Sequence, residues 1–258
     1  AMACTMLFGT TSGAEEYKDT FIFSQQADLA TLDPADTAAI PTLDVLCGMY
    51  DSLVTYDPEM NIVPSLATEW TQEDELNWVF KLRDDVVFHN GDPMTSADVV
   101  YSIKRVAASA KNASLFSALA DAVAVDDYTV KFTLSNPAPT FLNNLANTAA
   151  AILPEKYMTD NGEEIITSAP VGTGAYKFVE WKQGSSVEFA ANENYWAGDV
   201  TTQRVIMKVI PEATQRTISL ETGEIDAAYG VQSNDISRIE EDPNLTLLMA
   251  PALSTCYV

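Results

Sequence analysis

The chain has 258 residues, 47% hydrophobic and 9% aromatic, which is enough apolar material for a sizeable core and excludes a disordered chain. Its 14 basic and 37 acidic residues leave a formal charge of -23, a surface that repels nucleic acid and anionic lipid headgroups. Three cysteines, Cys4, Cys47 and Cys256, are too few and too odd in number for a disulfide framework, and Cys47 and Cys256 read as small buried apolar groups.

Residues 1–9 are apolar. Small residues follow at 10–14, and then Glu15, Glu16 and Lys18. That order reads as the end of a signal peptide, with a remnant over 1–14. Lipid attachment at Cys4 is the alternative, although Ala1-Met2-Ala3 fits a lipobox poorly. Both ends of the chain read as cut. No other apolar run reaches the roughly 18–20 residues that a membrane span needs.

Phe21-Ile22-Phe23 starts a strand, and Leu32-Asp33-Pro34 marks a turn. Pro41 to Val54 reads as a helix, with Leu43, Leu46, Cys47 and Tyr50 at helical spacing and Pro41 in the first turn. Asn77–Leu82 and Val86–Phe88 read as strands, and Asn90-Gly91 as the turn after them. Thr95 and Asp98 form a capping box that opens a helix through Val99, Val100, Ile103 and Val106. Tyr128–Leu134 alternates as a strand. Pro137 to Leu145 passes through a loop into a short helix. Val171 to Tyr176 is glycine-rich and leads into a strand over Lys177–Trp181. Ser186–Ala190 and Val205–Ile210 are further strands. Ala213 to Thr222 is a helix stopped by Gly223. Ile225–Tyr229 and Leu245–Met249 read as strands again. The class is mixed α/β, with more hairpins than a doubly wound sheet.

Catalytic machinery is hard to assemble from these residues. The single histidine, His89, stands before a turn with no nucleophile tied to it by sequence, which favours a structural or solvated role. No Gly-x-Ser-x-Gly elbow occurs. One histidine and three scattered cysteines make no metal site, and the acidic loops lack the calcium-loop pattern. Gly172-Thr173-Gly174 lacks both the third Rossmann glycine and the P-loop Lys-Ser/Thr. It also leads into a strand, so it reads as a turn where chains cross closely. No catalytic residue, cofactor or metal is expected.

Six ordered blocks carry a resemblance. Trp78 to Gly91 runs into Pro93 to Ser102, preceded by Pro64 to Trp70. After it come Leu134-Ser135-Asn136-Pro137, then Pro170 to Tyr176, then Asn192 to Trp196, then Gly223-Glu224-Ile225-Asp226. Together, over about residues 20–258, they resemble the peptide-binding (family 5) solute-binding proteins of ABC importers.

The resemblance implies a type II periplasmic-binding-protein-like fold, a Venus flytrap with mixed sheets, whose hinge closes two lobes on a solute. Residues 15–50 and 169–258 would form an incomplete lobe I. Residues 51–168 would form an inserted domain associated with it. The second ligand-gripping lobe would lie beyond Val258, so the chain alone is expected to bind solute weakly. In the family, the aspartate that pairs a peptide's amino group comes from that other lobe. The implied function is extracytoplasmic capture of di- or oligopeptides and delivery to ABC permease subunits. Nickel chelate, haem or oligosaccharide on the same fold is the alternative, and an extracellular hydrolase a further one. The location would be periplasmic or extracellular, with the membrane touched only through the permease or a lipid anchor, and no nucleic-acid partner.

Ala38, Ala39 and Ile40 would face the cleft, where small residues suit close backbone approach. Tyr229 would be a cleft aromatic. Ser254 and Tyr257 would sit where the chain crosses to the other lobe. Leu115 and Phe116, after the signature helix, complete the candidates. Trp78, Trp181, Trp196 and Tyr195 read as core anchors instead.

Overall fold

The computed structural model describes residues 18–249. The leader reading over 1–14, together with Cys4, Ser254, Cys256 and Tyr257, lies outside the described residues. In chain order the strands and helices are β1 (Thr20–Gln25), α1 (Ile40–Leu46), β2 (Val54–Tyr56), β3 (Ile62–Pro64), β4 (Ala67–Gln72), β5 (Asn77–Leu82) and α2 (Ser96–Ala108). There follow β6 (Leu119–Asp126), β7 (Thr129–Leu134), α3 (Phe141–Leu145), α4 (Glu155–Asn161), β8 (Tyr176–Lys182) and β9 (Ser186–Ala191). The last are β10 (Arg204–Val209), α5 (Ala213–Glu221), β11 (Ala227–Ala228) and α6 (Ile236–Glu241).

Two sheets organise the chain. One is antiparallel, in the order β4-β5-β7-β6. The other runs β11-β1-β10-β9-β8 and is mixed. There β1 lies parallel to both β10 and β11, while β9 and β8 turn back antiparallel. The β2-β3 hairpin stands apart.

The alternation along β7 puts Val130, Phe132 and Leu134 inward, a period of two that buries one face of a sheet. Phe80 and Phe132 meet edge to face at 5.5 Å, and Phe132 meets Phe141 likewise at 5.5 Å. Val99, Ile103 and Val106 of α2 close the core of this sheet. The capping box forms as expected: the Thr95 N–H donates to Asp98 Oδ2 at 2.8 Å. A second core gathers Leu29, Leu32, Leu46, Met49 and Tyr50 with Val187, Phe189 and Met207 under the five-stranded sheet.

Several expectations change. The helix expected to run on to Val54 stops at Leu46. Beyond it, the Gly48 and Met49 carbonyls accept from the Tyr176 and Gly174 N–H groups instead of continuing the helix. Cys47 is half-buried at that helix end, with its thiol donating to Asp44 O at 3.0 Å, and is not a fully buried core group. Val86–Phe88 forms no strand, only a bridge between Val87 and Pro93. The strand expected over Ile225–Tyr229 shrinks to Ala227–Ala228, because only those residues register with β1. Leu245–Met249 forms no strand, and Leu248 and Met249 are exposed.

Candidate functional site

The Gly172-Gly174 turn is where the two layers meet. A Cβ on Gly172 would lie 2.2 Å from Met49 O, and one on Gly174 would lie 2.5 Å from Met49 C, so the backbones touch where only glycine fits. His89 grips the same turn. The Gly172 N–H can only donate, so Nδ1 accepts it at 3.2 Å and the proton sits on Nε2, which faces Gly174 O at 3.0 Å. Burial pushes this imidazole down to about 4, against the bond to Gly174; Lys177 lowers it further. His89 is therefore a neutral structural clamp.

Asp51 Oδ2 accepts from Thr173 Oγ1 and from Trp196 Nε1, both at 2.9 Å. Burial raises the Asp51 carboxyl, and the bonds from Trp196 and Thr173 partly offset that rise. Arg83 lies over the Trp196 ring at 4.7 Å. Trp181 Nε1 donates to Asp28 Oδ1 at 2.9 Å. Trp78, Trp181 and Trp196 pack against the cores from half-buried positions, which fits the anchor reading.

Opposite this junction in the fold are the carboxyl ends of the parallel strands β1, β10 and β11. In open sheets with parallel strands, that end is where ligands bind. The Tyr229 N–H donates to Ser24 O at 2.9 Å, and its ring meets Phe23 edge to face at 6.2 Å. Tyr229 is 44% exposed. The 26–39 loop leaves the same end of β1 and delivers Ala38, Ala39 and Ile40 to α1. All three are exposed, Ile40 by 68%.

Behind Tyr229 stands Arg216 of α5, only 3% exposed. Its guanidinium donates to Tyr229 O (2.9 Å), Ile210 O (2.7 Å), Pro211 O (2.9 Å) and Gly230 O (3.0 Å). One side chain thus pins the loops that follow β10 and β11. Burial lowers its pKa, and Glu212 opposes that.

Leu115 and Phe116 sit on a 3-10 turn, Ala113–Phe116. Phe116 is 3% exposed and packs edge to face on Phe141 at 6.3 Å, so its ring belongs to the core and not to a ligand surface. Leu115 is half-buried, and its carbonyl accepts from Asn144 Nδ2 at 2.6 Å. Asn112, which opens that turn, reaches the 26–39 loop. The structure thus places Tyr229 beside the end of β1, and Ala38–Ile40 at the far end of the loop that leaves it, next to the bond from Asn112 to Thr37. Sequence reasoning missed Arg216 and Asn112. Among the described residues, no group of three or more His, Cys, Asp or Glu side chains is placed to hold a metal, and no helix is long and apolar enough to cross a membrane.

Comparison with known proteins bears on this geometry. The family model for bacterial extracellular solute-binding proteins, family 5 Middle, matches residues 61–258. A glutathione-binding protein, GsiB, of Pectobacterium atrosepticum is 31% identical over 233 residues, 88% of this chain and 45% of that protein. The periplasmic binding protein DppA of Helicobacter pylori, solved with the peptide STSA, superposes with a TM-score of 0.79 at 28% identity, over 87% of this chain and 49% of that one. NikZ of Campylobacter jejuni, solved with Ni(L-His), gives a TM-score of 0.79 at 31% identity, over 88% of this chain and 46% of that one. The chain spans about half the length of the relatives it matches.

Proposed function

The chain belongs to the bacterial extracellular solute-binding proteins, family 5, and on that premise we propose that it forms one wall of a cleft that captures peptides or similar small solutes outside the cytoplasmic membrane. Residues 15–50 and 169–258 act as one lobe, and residues 51–168 as a domain inserted into it. The length that the relatives have and this chain lacks supplies the opposing wall. The loaded protein then presents its solute to the permease subunits of an ABC importer. The chain itself carries out no reaction.

The observation that carries this reading is two exposed apolar side chains, Tyr229 beside the end of β1 and Ile40 at the start of α1, whose neighbouring segments are held by buried polar bonds. A solute closed between two lobes must have its own donors and acceptors satisfied. Ala38 and Ala39 are small and exposed, which lets a solute backbone approach closely without a side chain being read. The relatives described above hold glutathione, a peptide and a nickel–histidine complex. All three present amino-acid backbone groups, which supports a solute of that chemistry and makes nickel chelate the second reading.

The test is a thermal-shift screen of the full-length protein that carries this chain, against di- to pentapeptides, glutathione, oligosaccharides and nickel–L-histidine. A solute that binds only the folded state raises the melting temperature with the logarithm of its excess over Kd. Peptides or glutathione should shift it. A shift with nickel–L-histidine alone sinks the peptide reading, and turnover of any compound revives the hydrolase. Isothermal titration of residues 1–258 alone should show no micromolar peptide binding.

A further inference from the structure

We propose that the last turn of α2 and the segment after it hold the solute-facing loop in its binding shape, with Arg105 and Asn112 as positioning residues for Ala38, Ala39 and Ile40. This rests on the reading that those three residues face the cleft.

The 26–39 loop has only one short 3-10 turn of its own, Pro34–Asp36. Ordering such a segment costs roughly 1–2 kcal/mol per residue if binding has to do it. Here the cost is met during folding. Leu29 and Leu32 are buried in the core under the five-stranded sheet, whereas Ala35, a few residues on, is buried in the core of the four-stranded one. The loop is therefore anchored in both layers.

The polar bonds repeat the pattern. The Asn112 amide is 6% exposed and spends both protons on this loop, on Ala35 O at 2.9 Å and on Thr37 O at 2.8 Å. Asn112 is fixed in turn by its own N–H, which donates to Ser109 Oγ at 2.8 Å. Arg105, in the last turn of α2, donates Nη1 to Asp33 Oδ1 at 2.9 Å and pairs Nη2 with Asp33 Oδ2, while its Nε reaches Glu163. Asp33 Oδ1 also accepts from the Ala35 N–H at 2.9 Å. Burial works against the charge on Arg105, but its bonds to Asp33 and then Glu163 more than offset that and hold the guanidinium above its ordinary pKa.

These anchors fall on residues 33, 35 and 37 and then stop. Thr37 is buried, and Ala38, next to it, is exposed. The Ala39 N–H donates back to Thr37 Oγ1 at 3.1 Å. The presented residues therefore lie between the last Asn112 bond and the first turn of α1, whose Thr42 and Leu43 N–H groups donate to Ala39 O at 3.0 Å. A loop fixed in this way binds without an ordering cost, and releasing it weakens affinity more than stability. An aspartate cannot replace Asn112, because it has no proton to donate to either carbonyl.

The experiment compares wild type with Asn112→Ala and Arg105→Gln in the full-length protein. Hydrogen exchange without solute is the first readout. Exchange over residues 36–43 should rise about tenfold or more, and exchange in β5 and β7 should not change. Titration with glutathione, tri-alanine and nickel–L-histidine is the second. For whichever probe binds wild type, Kd should rise about tenfold or more with unchanged stoichiometry; a purely structural defect lowers the binding-competent fraction and leaves Kd alone. Unchanged exchange over 36–43 overturns the proposal. Raised exchange with unchanged Kd also overturns it. If no probe binds wild type, the functional reading falls, and the exchange comparison alone upholds or overturns the positioning. If Asn112→Ala fails to fold, Arg105→Gln carries both readouts.

Discussion

Acidification from about pH 7.5 to about pH 4 should destabilise the chain through its single histidine. His89 is neutral in the fold, bonded through Nδ1 to Gly172 and through Nε2 to Gly174, and burial pushes it from 6.5 down to about 4. The unfolded chain takes up a proton near 6.5, while the folded one refuses it until about 4. The contribution of His89 is therefore complete above pH 6.5, falls as pH drops through the interval down to 4, and is flat below that. The interval corresponds to about 3 kcal/mol, a large part of a typical domain's stability. Asp51 and Asp98 have carboxyls raised chiefly by burial, so they push the other way: the stability each contributes is complete below its unfolded value and is lost as pH rises through its folded one. The design must subtract them. Urea unfolding at both pH values, on wild type and on His89→Gln, does so, since the glutamine keeps a donor and an acceptor but does not titrate. Wild type should lose about 3 kcal/mol more than His89→Gln over this pH range. Parallel pH dependences in the two proteins would refute the clamp as described.

Other perturbations follow from the same geometry. Gly174→Ala drives a methyl into the Met49 backbone, which has no flexible side chain to move aside, and should cost at least about 3 kcal/mol in urea unfolding; a loss below about 1 kcal/mol would mean that the turn can move away from Met49. Arg216→Met leaves the Ile210, Pro211, Tyr229 and Gly230 carbonyls without their donor. It should cost about 3 kcal/mol, and Arg216→Lys should recover part of the loss. Equal stability of Arg216→Met and wild type would show that water replaces the guanidinium at no cost.

Much of the scaffold was legible locally, because the signals that matter act over a few residues. The Thr129–Leu134 alternation, the Thr95–Asp98 box, the Gly223 stop and the close crossing at Gly172-Gly174 all appear where the sequence places them. What escaped was set by distant partners. The helical pattern after Leu46 is overridden because Gly174 and Tyr176, more than a hundred residues on, claim the Gly48 and Met49 carbonyls. β6 is rich in alanine and aspartate, poor strand formers, and exists through its pairing with β7. At the candidate site, exposed Tyr229 and Ile40 were within reach of motif position. Asn112 and Arg216 were not, because an asparagine before a turn and an arginine in a helix carry no local sign of the carbonyls they will find.

The place of β1 has a consequence for how the protein is made. Thr20–Gln25 is an interior strand whose neighbours are β10 and β11, beginning at Arg204 and Ala227. In a chain that emerges N-terminus first at about 5–20 residues per second, it appears roughly ten to forty seconds before its first sheet partner. The antiparallel β4-β5-β7-β6 layer has all its strands within residues 67–134 and can close in the meantime. Phe21-Ile22-Phe23 waits unpaired throughout, a short apolar strand with both edges open. A nascent chain stalled before Arg204 therefore exposes that strand to chaperones or to other chains, and release past Ala227 hides it.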